Sequence, residues 1–143
     1  MSQIDNRTMP HCTVMPVLVY PSVREAIDWL CNAFGFVERW EAKGHRAQLL
    51  VGAGAVVVVD GDSTGACGAH SMMVRVANVD AHHGRALLWG ARILSPPADY
   101  PYGERQYTAE DPGGHRWTFS QSIADLAPEA WGGTSGPGMA PRG

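Results

Sequence analysis

Apolar and β-branched positions dominate residues 13–20, which read as a strand, and then the period changes. Val23, Ile27, Leu30, Cys31 and Phe34 recur at helical spacing. Ser22 with Glu25 three residues on makes a capping-box pattern, and Gly35 is a natural stop. Three strands are predicted next, over 36–42, 46–51 and 55–60, divided by Lys43-Gly44 and by Gly52-Ala53-Gly54. The order then recurs. Residues 71–76 read as a strand, Asn78 caps a helix over 79–89 that Gly90 stops, and 91–94 make a short strand. After a long Pro- and Tyr-rich stretch, 105–110 form another. The last strand follows the tight turn Asp111-Pro112-Gly113-Gly114. Trp117 and Phe119 fall on one of its faces, and Arg116, Thr118 and Ser120 on the other.

The two halves match from strand to helix cap. Tyr20-Pro21-Ser22-Val23 aligns with Val76-Ala77-Asn78-Val79, and Gly35 and Gly90 end the helices at almost the same offset. A strand–helix–strands unit used twice is an internal repeat. It divides the chain into an N-terminal lead (1–12), a first module (13–62), a linker (63–69), a second module (70–122) and a C-terminal tail (123–143). The tail is Gly/Pro-rich from Gly132 onward, with little to bury.

Charge and composition remove whole classes of partner. A net charge of −3 over 143 residues leaves no basic patch for nucleic acid or an anionic membrane surface. The longest fully apolar run, Ala55 with the four valines after it, is too short to cross a bilayer. Three cysteines, Cys12, Cys31 and Cys67, show no CxxC spacing, so no disulfide framework or zinc knuckle is indicated. The expectation is a soluble, cytoplasmic, globular protein.

The stretch from Tyr20 through Leu30, closed by Ala33-Phe34-Gly35-Phe36, resembles the first module of the vicinal oxygen chelate superfamily. That group contains the glyoxalases, bleomycin-resistance proteins and extradiol dioxygenases. Residues 102–107 and the Asp111–Trp117 stretch resemble the end of its second module. The resemblance implies an α+β fold of two tandem βαβββ modules forming a cupped mixed sheet, and a homodimer whose paired modules enclose a cavity. In metal-using members His and Glu from the first and last strands of each module hold a divalent ion that polarises the substrate. Here those positions fall at Met15, at Val57 or Val58, at Ser71 and at Thr118. Thioether, valine and neutral hydroxyls make a poor site for a hard divalent cation. His70, one residue from the expected place, is the one plausible metal ligand, since a one-residue slip turns a side chain to the opposite face. No cofactor is expected.

The remaining histidines read as surface groups: His82 and His83 on the second helix, His45 in a hairpin, and His115 after its turn, within reach of the cavity rim. His11 lies in a lead that need not be ordered. If Thr118 faces inward, parity brings Arg116 and Ser120 with it, and Ser71 brings Met73 and Arg75. The ligand-binding set is therefore Arg75, Arg116, Thr118 and Ser71. Trp40 joins it as a stacking surface, and Tyr102 as part of a lid or wall formed by 95–103, with packing of Tyr100 and Tyr102 on the barrel edge as the rival role. The arginines suit a carboxylate or phosphate; ion pairing at a rim is the rival role. Glu41 and Glu104 are the acids nearest the pocket mouth, without a signal to single out a general base. The function expected is binding of a small, partly apolar anion by a glyoxalase-like, metal-independent protein of the bleomycin-resistance type. A metal-dependent lyase, isomerase or dioxygenase built on His70 is the alternative, and an interaction module with a vestigial cavity is a third.

Overall fold

The computed structural model describes residues 4–62 and 70–139, so the linker expected at 63–69 lies outside the described residues. β1 (Val17–Tyr20) leads into α1 (Val23–Phe34), followed by β2 (Val37–Ala42), β3 (Arg46–Val51) and β4 (Gly54–Asp60). The second module repeats this with β5 (Met72–Arg75), α2 (Val79–Leu88), β6 (Arg92–Tyr100), β7 (Glu104–Glu110) and β8 (Arg116–Ser122). Two four-stranded sheets result, ordered β1-β4-β3-β2 and β5-β8-β7-β6. In each, the first strand runs parallel to the last and the other pairs are antiparallel. This is the α+β arrangement of two βαβββ modules. No described helix is long and apolar enough to cross a membrane.

Local chemistry explains the helix ends. The Ser22 side chain accepts from the Glu25 amide at 3.3 Å, and Asn78 does the same for Ala81 at 3.0 Å. Gly35 closes α1 in the left-handed region at φ 78°, where a side chain would be strained. The helices cover the same side of both sheets, and one core forms there. Leu18, Ile27, Leu30, Leu49 and Val58 from the first module join Tyr107, Trp117 and Phe119 from the second.

The two modules are joined at the Asp111 turn. The Asp111 carboxylate, 4 % exposed, accepts from the Tyr20 hydroxyl (2.6 Å), the Trp117 indole N–H (2.9 Å), and the Gly113 and His115 amides (2.9 and 3.0 Å). These four donors satisfy the buried carboxylate from both modules. Burial, followed by the charge of Asp111, raises the Tyr20 hydroxyl pKa well above its ordinary range. Gly113 is required by space, because a Cβ there would lie 2.5 Å from the Tyr20 ring.

Several expectations need correction. His115 is buried, and its Nε2 donates to the Val19 carbonyl of edge strand β1 at 2.8 Å, so it pins a backbone rather than facing a rim. His82 is half-buried against Phe34 and Phe119. Its Nε2 lies 3.0 Å from the Phe34 carbonyl, which can only accept, so Nδ1 receives the Tyr107 hydroxyl at 2.5 Å. Desolvation lowers its pKa. Residues 95–100 belong to β6 instead of a free lid: β6 is an edge strand, where register shifts around Pro96 and Pro97 cost no central ladder bonds. The first strand begins at Val17, four residues later than expected, because residues 13–16 serve the lead. That lead lies across the first sheet, with its Arg7 and Thr8 carbonyls bonded to β2 and β3. The tail forms two short 3-10 turns, at Pro128–Trp131 and Pro137–Met139, and Trp131 packs on Tyr102.

Candidate functional site

Each sheet has one face on the common core and one facing away from the helices, its inner face. On the second module, register sorts the inner-face residues into rows. Met73, Thr118 and Thr108 form one row, and Arg75, Ser120 and Gln106 the next. The Thr108 and Thr118 hydroxyls are 2.9 Å apart and satisfy each other. Glu104 Oε1 accepts from Ser120 Oγ (2.5 Å) and from Gln106 Nε2 (3.0 Å), which fixes the floor beside Arg75.

Arg75 stands between two cavities. One, of about 500 Å³, lies over the inner face and is lined by Met73, Arg75, Tyr102, Glu104, Ser120, Asp125 and Leu126 among others. Tyr102 stacks on Tyr100 and meets Trp131 edge-on, with ring centroids 5.4 and 5.6 Å apart. The other, of about 490 Å³, is a cleft between the modules. Its walls come from Val14, Pro16, residues 51–56, Met72, Val74 and Trp117, and Arg75 is the one charged residue lining it. Met73, 65 % exposed, borders both.

The sequence-derived residues therefore separate. Arg75 and Tyr102 line the same cavity. Thr118 is one row away, with its hydroxyl engaged. Arg116 lies a further row along, exposed, opposite Glu110 across the β7–β8 pair. Ser71 is exposed just ahead of β5, and His70 precedes it, also exposed. Trp40 is not brought to this group: it stands on β2 of the other sheet, with its indole N–H on the Thr8 carbonyl at 3.2 Å. Glu41 is committed elsewhere, paired with Arg24 at 3.0 Å. Cys31 packs against the core, and burial pushes its thiol pKa up, consistent with a packing role.

Two contributions escaped sequence reading. Asp125 and Leu126 reach the inner cavity from the start of the tail, where a Gly/Pro-rich composition further on conceals the first residues' role. Arg39 escaped because strict alternation places it opposite Trp40. A register shift between Glu38 and Trp40 brings both to the lead.

The internal repeat also locates the metal positions. Val57 pairs with Val17 as Thr118 pairs with Met73, so Val57 and Thr118 occupy equivalent inner-face sites, while Val58 is buried in the core. Met15 and Ser71 are equivalent at the same offset. Thioether, valine and two hydroxyl groups do not fit a hard divalent cation. Among the described residues no group of three His, Cys, Asp or Glu could hold an ion.

Carboxylates partner some arginines and leave others without one. Arg24 pairs with Asp28, Glu38 and Glu41, and Arg105 with Asp80 and Asp99, at 2.8–3.0 Å. Arg92 reaches Glu110 at 3.8 Å. Carboxylate hydrogen bonds raise the Arg24 and Arg105 pKa values further. By contrast Arg39, Arg46, Arg75, Arg85 and Arg116 have no carboxylate within 4.0 Å among the described residues, and Arg85 on α2 is engaged by the Asn32 and Cys31 carbonyls.

Comparison with known proteins agrees with this architecture. The family model described as the Glyoxalase/Bleomycin resistance protein/Dioxygenase superfamily matches residues 8–119. An uncharacterised protein of Mycobacterium bovis is 30 % identical, with 78 % of this chain and 84 % of that protein covered. The crystal structure of TioX from Micromonospora sp. ML1 superposes with a TM-score of 0.66 at 30 % identity, covering 81 % of this chain and all of that one. The fosfomycin resistance protein FosX of Listeria monocytogenes has a TM-score of 0.67 at 16 % identity, covering 80 % and 95 %. FosX has also been solved complexed with Mn(II) and a sulfate ion. At that identity the likeness concerns the fold alone.

Proposed function

We propose that this chain, which belongs to the glyoxalase/bleomycin resistance protein/dioxygenase superfamily, binds a small, partly apolar anion at the junction where Arg75 stands. The observation that carries this is Arg75 itself, which lines both cavities and has no carboxylate within 4.0 Å among the described residues. A guanidinium beside an apolar cleft is a receptor for a planar anion through bidentate hydrogen bonds. The ligand's apolar body lies along Val14, Pro16, Met72 and Trp117, its anionic group on Arg75, and any donor it carries turns to Glu104. Tyr102, braced by Tyr100 and Trp131, supplies a ring wall.

Binding without turnover suits the residues present. On the inner face the Thr108 and Thr118 hydroxyls bond each other, and Glu104 accepts from Ser120 and Gln106 instead of facing an acidic proton. Val17, 55 % exposed, and Met73 leave apolar surface on both inner faces, which supports closure of the cup by a second copy in a homodimer.

Calorimetric titration with benzoate tests the reading. Replacing both Arg75 and Arg116 by Gln lowers affinity at least tenfold, and the neutral analogue benzyl alcohol binds neither protein. Equal affinity in the double variant, or equal binding of the neutral analogue, overturns it.

A further inference from the structure

The first module's inner face holds a second cluster of donors, and it is occupied by the chain itself. Asn6 to Met9 form a tight turn, closed by the Met9 amide on the Asn6 carbonyl at 3.0 Å. The Asn6 side-chain oxygen stiffens it by accepting from the Thr8 amide (3.1 Å) and hydroxyl (2.8 Å). Such a turn carries the Arg7 and Thr8 carbonyl oxygens on adjacent peptide units. Arg39 Nη2 donates to the Arg7 oxygen at 2.5 Å; the Trp40 indole N–H and Gln48 Nε2 donate to the Thr8 oxygen at 3.2 and 3.3 Å.

Three donors thus converge on two neighbouring oxygens, which is the demand a carboxylate makes. The cluster is built rather than incidental. Gln48 is only 1 % exposed, and Arg39 Nη1 holds its Oε1 at 2.7 Å, which aims the amide N–H₂ at the lead. Arg39 itself touches only neutral oxygens, so its positive charge has no counter-ion among the described residues. A charged acceptor makes hydrogen bonds roughly twice as strong as a neutral carbonyl does. Val57 and Val17 complete the row that Gln48 and Trp40 begin, and give the site an apolar side.

We infer that Arg39, Trp40 and Gln48 form a carboxylate-binding site on the first module, which the Arg7–Thr8 turn of the same chain occupies as a displaceable surrogate. Because the surrogate must leave first, the apparent affinity of a free carboxylate is reduced by the fraction of molecules with the lead detached. This site is separate from the Arg75 junction, and the two can fail independently.

Trypsin provides the test in the full chain, since it cuts after Arg7, whose carbonyl the site holds. The rate of Arg7–Thr8 cleavage is followed by mass spectrometry as benzoate is added, normalised to a free peptide of residues 4–12. Cleavage accelerates at least tenfold toward saturation. In Trp40→Phe, which keeps the ring and removes one donor from both occupants, basal cleavage is faster and the acceleration by benzoate is smaller. In Arg39→Gln cleavage is fast and indifferent to benzoate. Arg75→Gln retains the full response, which separates this site from the junction. A rate in the parent protein that benzoate does not change, or an Arg39→Gln variant that responds as the parent does, overturns the inference.

Discussion

The two modules share a topology and differ in what lies on their inner faces. In the first, the row Val17, Val57, Gln48 and Trp40 is held at its polar end by Thr8 of the lead, with Arg7 bonded to the neighbouring Arg39, while Val17 at the other end stays exposed. In the second, the matching rows carry Met73, Thr118 and Thr108, then Arg75, Ser120 and Gln106, and a cavity of about 500 Å³ remains over them. The difference begins with residue type. A valine-rich face gains from being covered, whereas hydroxyls and amides already hydrogen-bonded within the sheet tolerate water or a ligand. Duplication therefore yields one face partly closed by its own chain and one that stays open.

The comparison is broken most severely where the modules join. Asp111→Ala strands the Tyr20 hydroxyl, the Trp117 indole and two amides in the interior. A loss of about 3 kcal/mol or more is expected in chemical denaturation, from unsatisfied buried donors. A change below about 1 kcal/mol would show that the modules are held together elsewhere. The next largest effect separates open face from outer surface. Arg75→Gln weakens benzoate binding about tenfold or more, the scale of one charge-assisted hydrogen bond. Arg105→Gln, which removes a guanidinium paired with Asp80 and Asp99, leaves it unchanged. If both variants lose affinity alike, the effect is net charge and not the site.

Trp40→Phe sharpens the closed side. It deletes one hydrogen bond to Thr8 and lowers stability by about 1 kcal/mol, read by denaturant midpoint. The smallest effect is a pH slope. His82 stands on the first module's Phe34 carbonyl, and burial holds its pKa below the ordinary 6.5, so the folded protein prefers it neutral. Its contribution is complete above pH 6.5 and is lost as pH falls from there through the lowered folded-state value. Thermal denaturation against pH should show this decline in the parent, and a flatter profile in His82→Gln.

Much of the fold was legible, because periodicity, caps and turns agree with one another. Ser22 and Asn78 cap the helices that their spacing predicts, and the Asp111 turn feeds β8 as its alternation requires. The candidate site was legible only through parity along single strands. Parity put Arg75 and Ser120 on the inward sides of their own strands, but it could not see that register sets them side by side, nor the register shift that brings Arg39 to the lead beside Trp40. Nor can it see long-range fixing. His82 and His115 read as surface groups because their partners, Phe34 and Val19, are 48 and 96 residues away in sequence. The lead's role is likewise invisible, since backbone carbonyls carry no residue signature.

The most direct test follows backbone amide resonances while benzoate is titrated into the full chain. The open second face needs no displacement, so Met73, Arg75 and Ser120 should shift at lower benzoate than Arg7, Thr8 or Gln48. Arg75→Gln should abolish that first set. First-module residues moving before the second, or an unchanged first set in Arg75→Gln, would contradict the assignment of the open face as the ligand face.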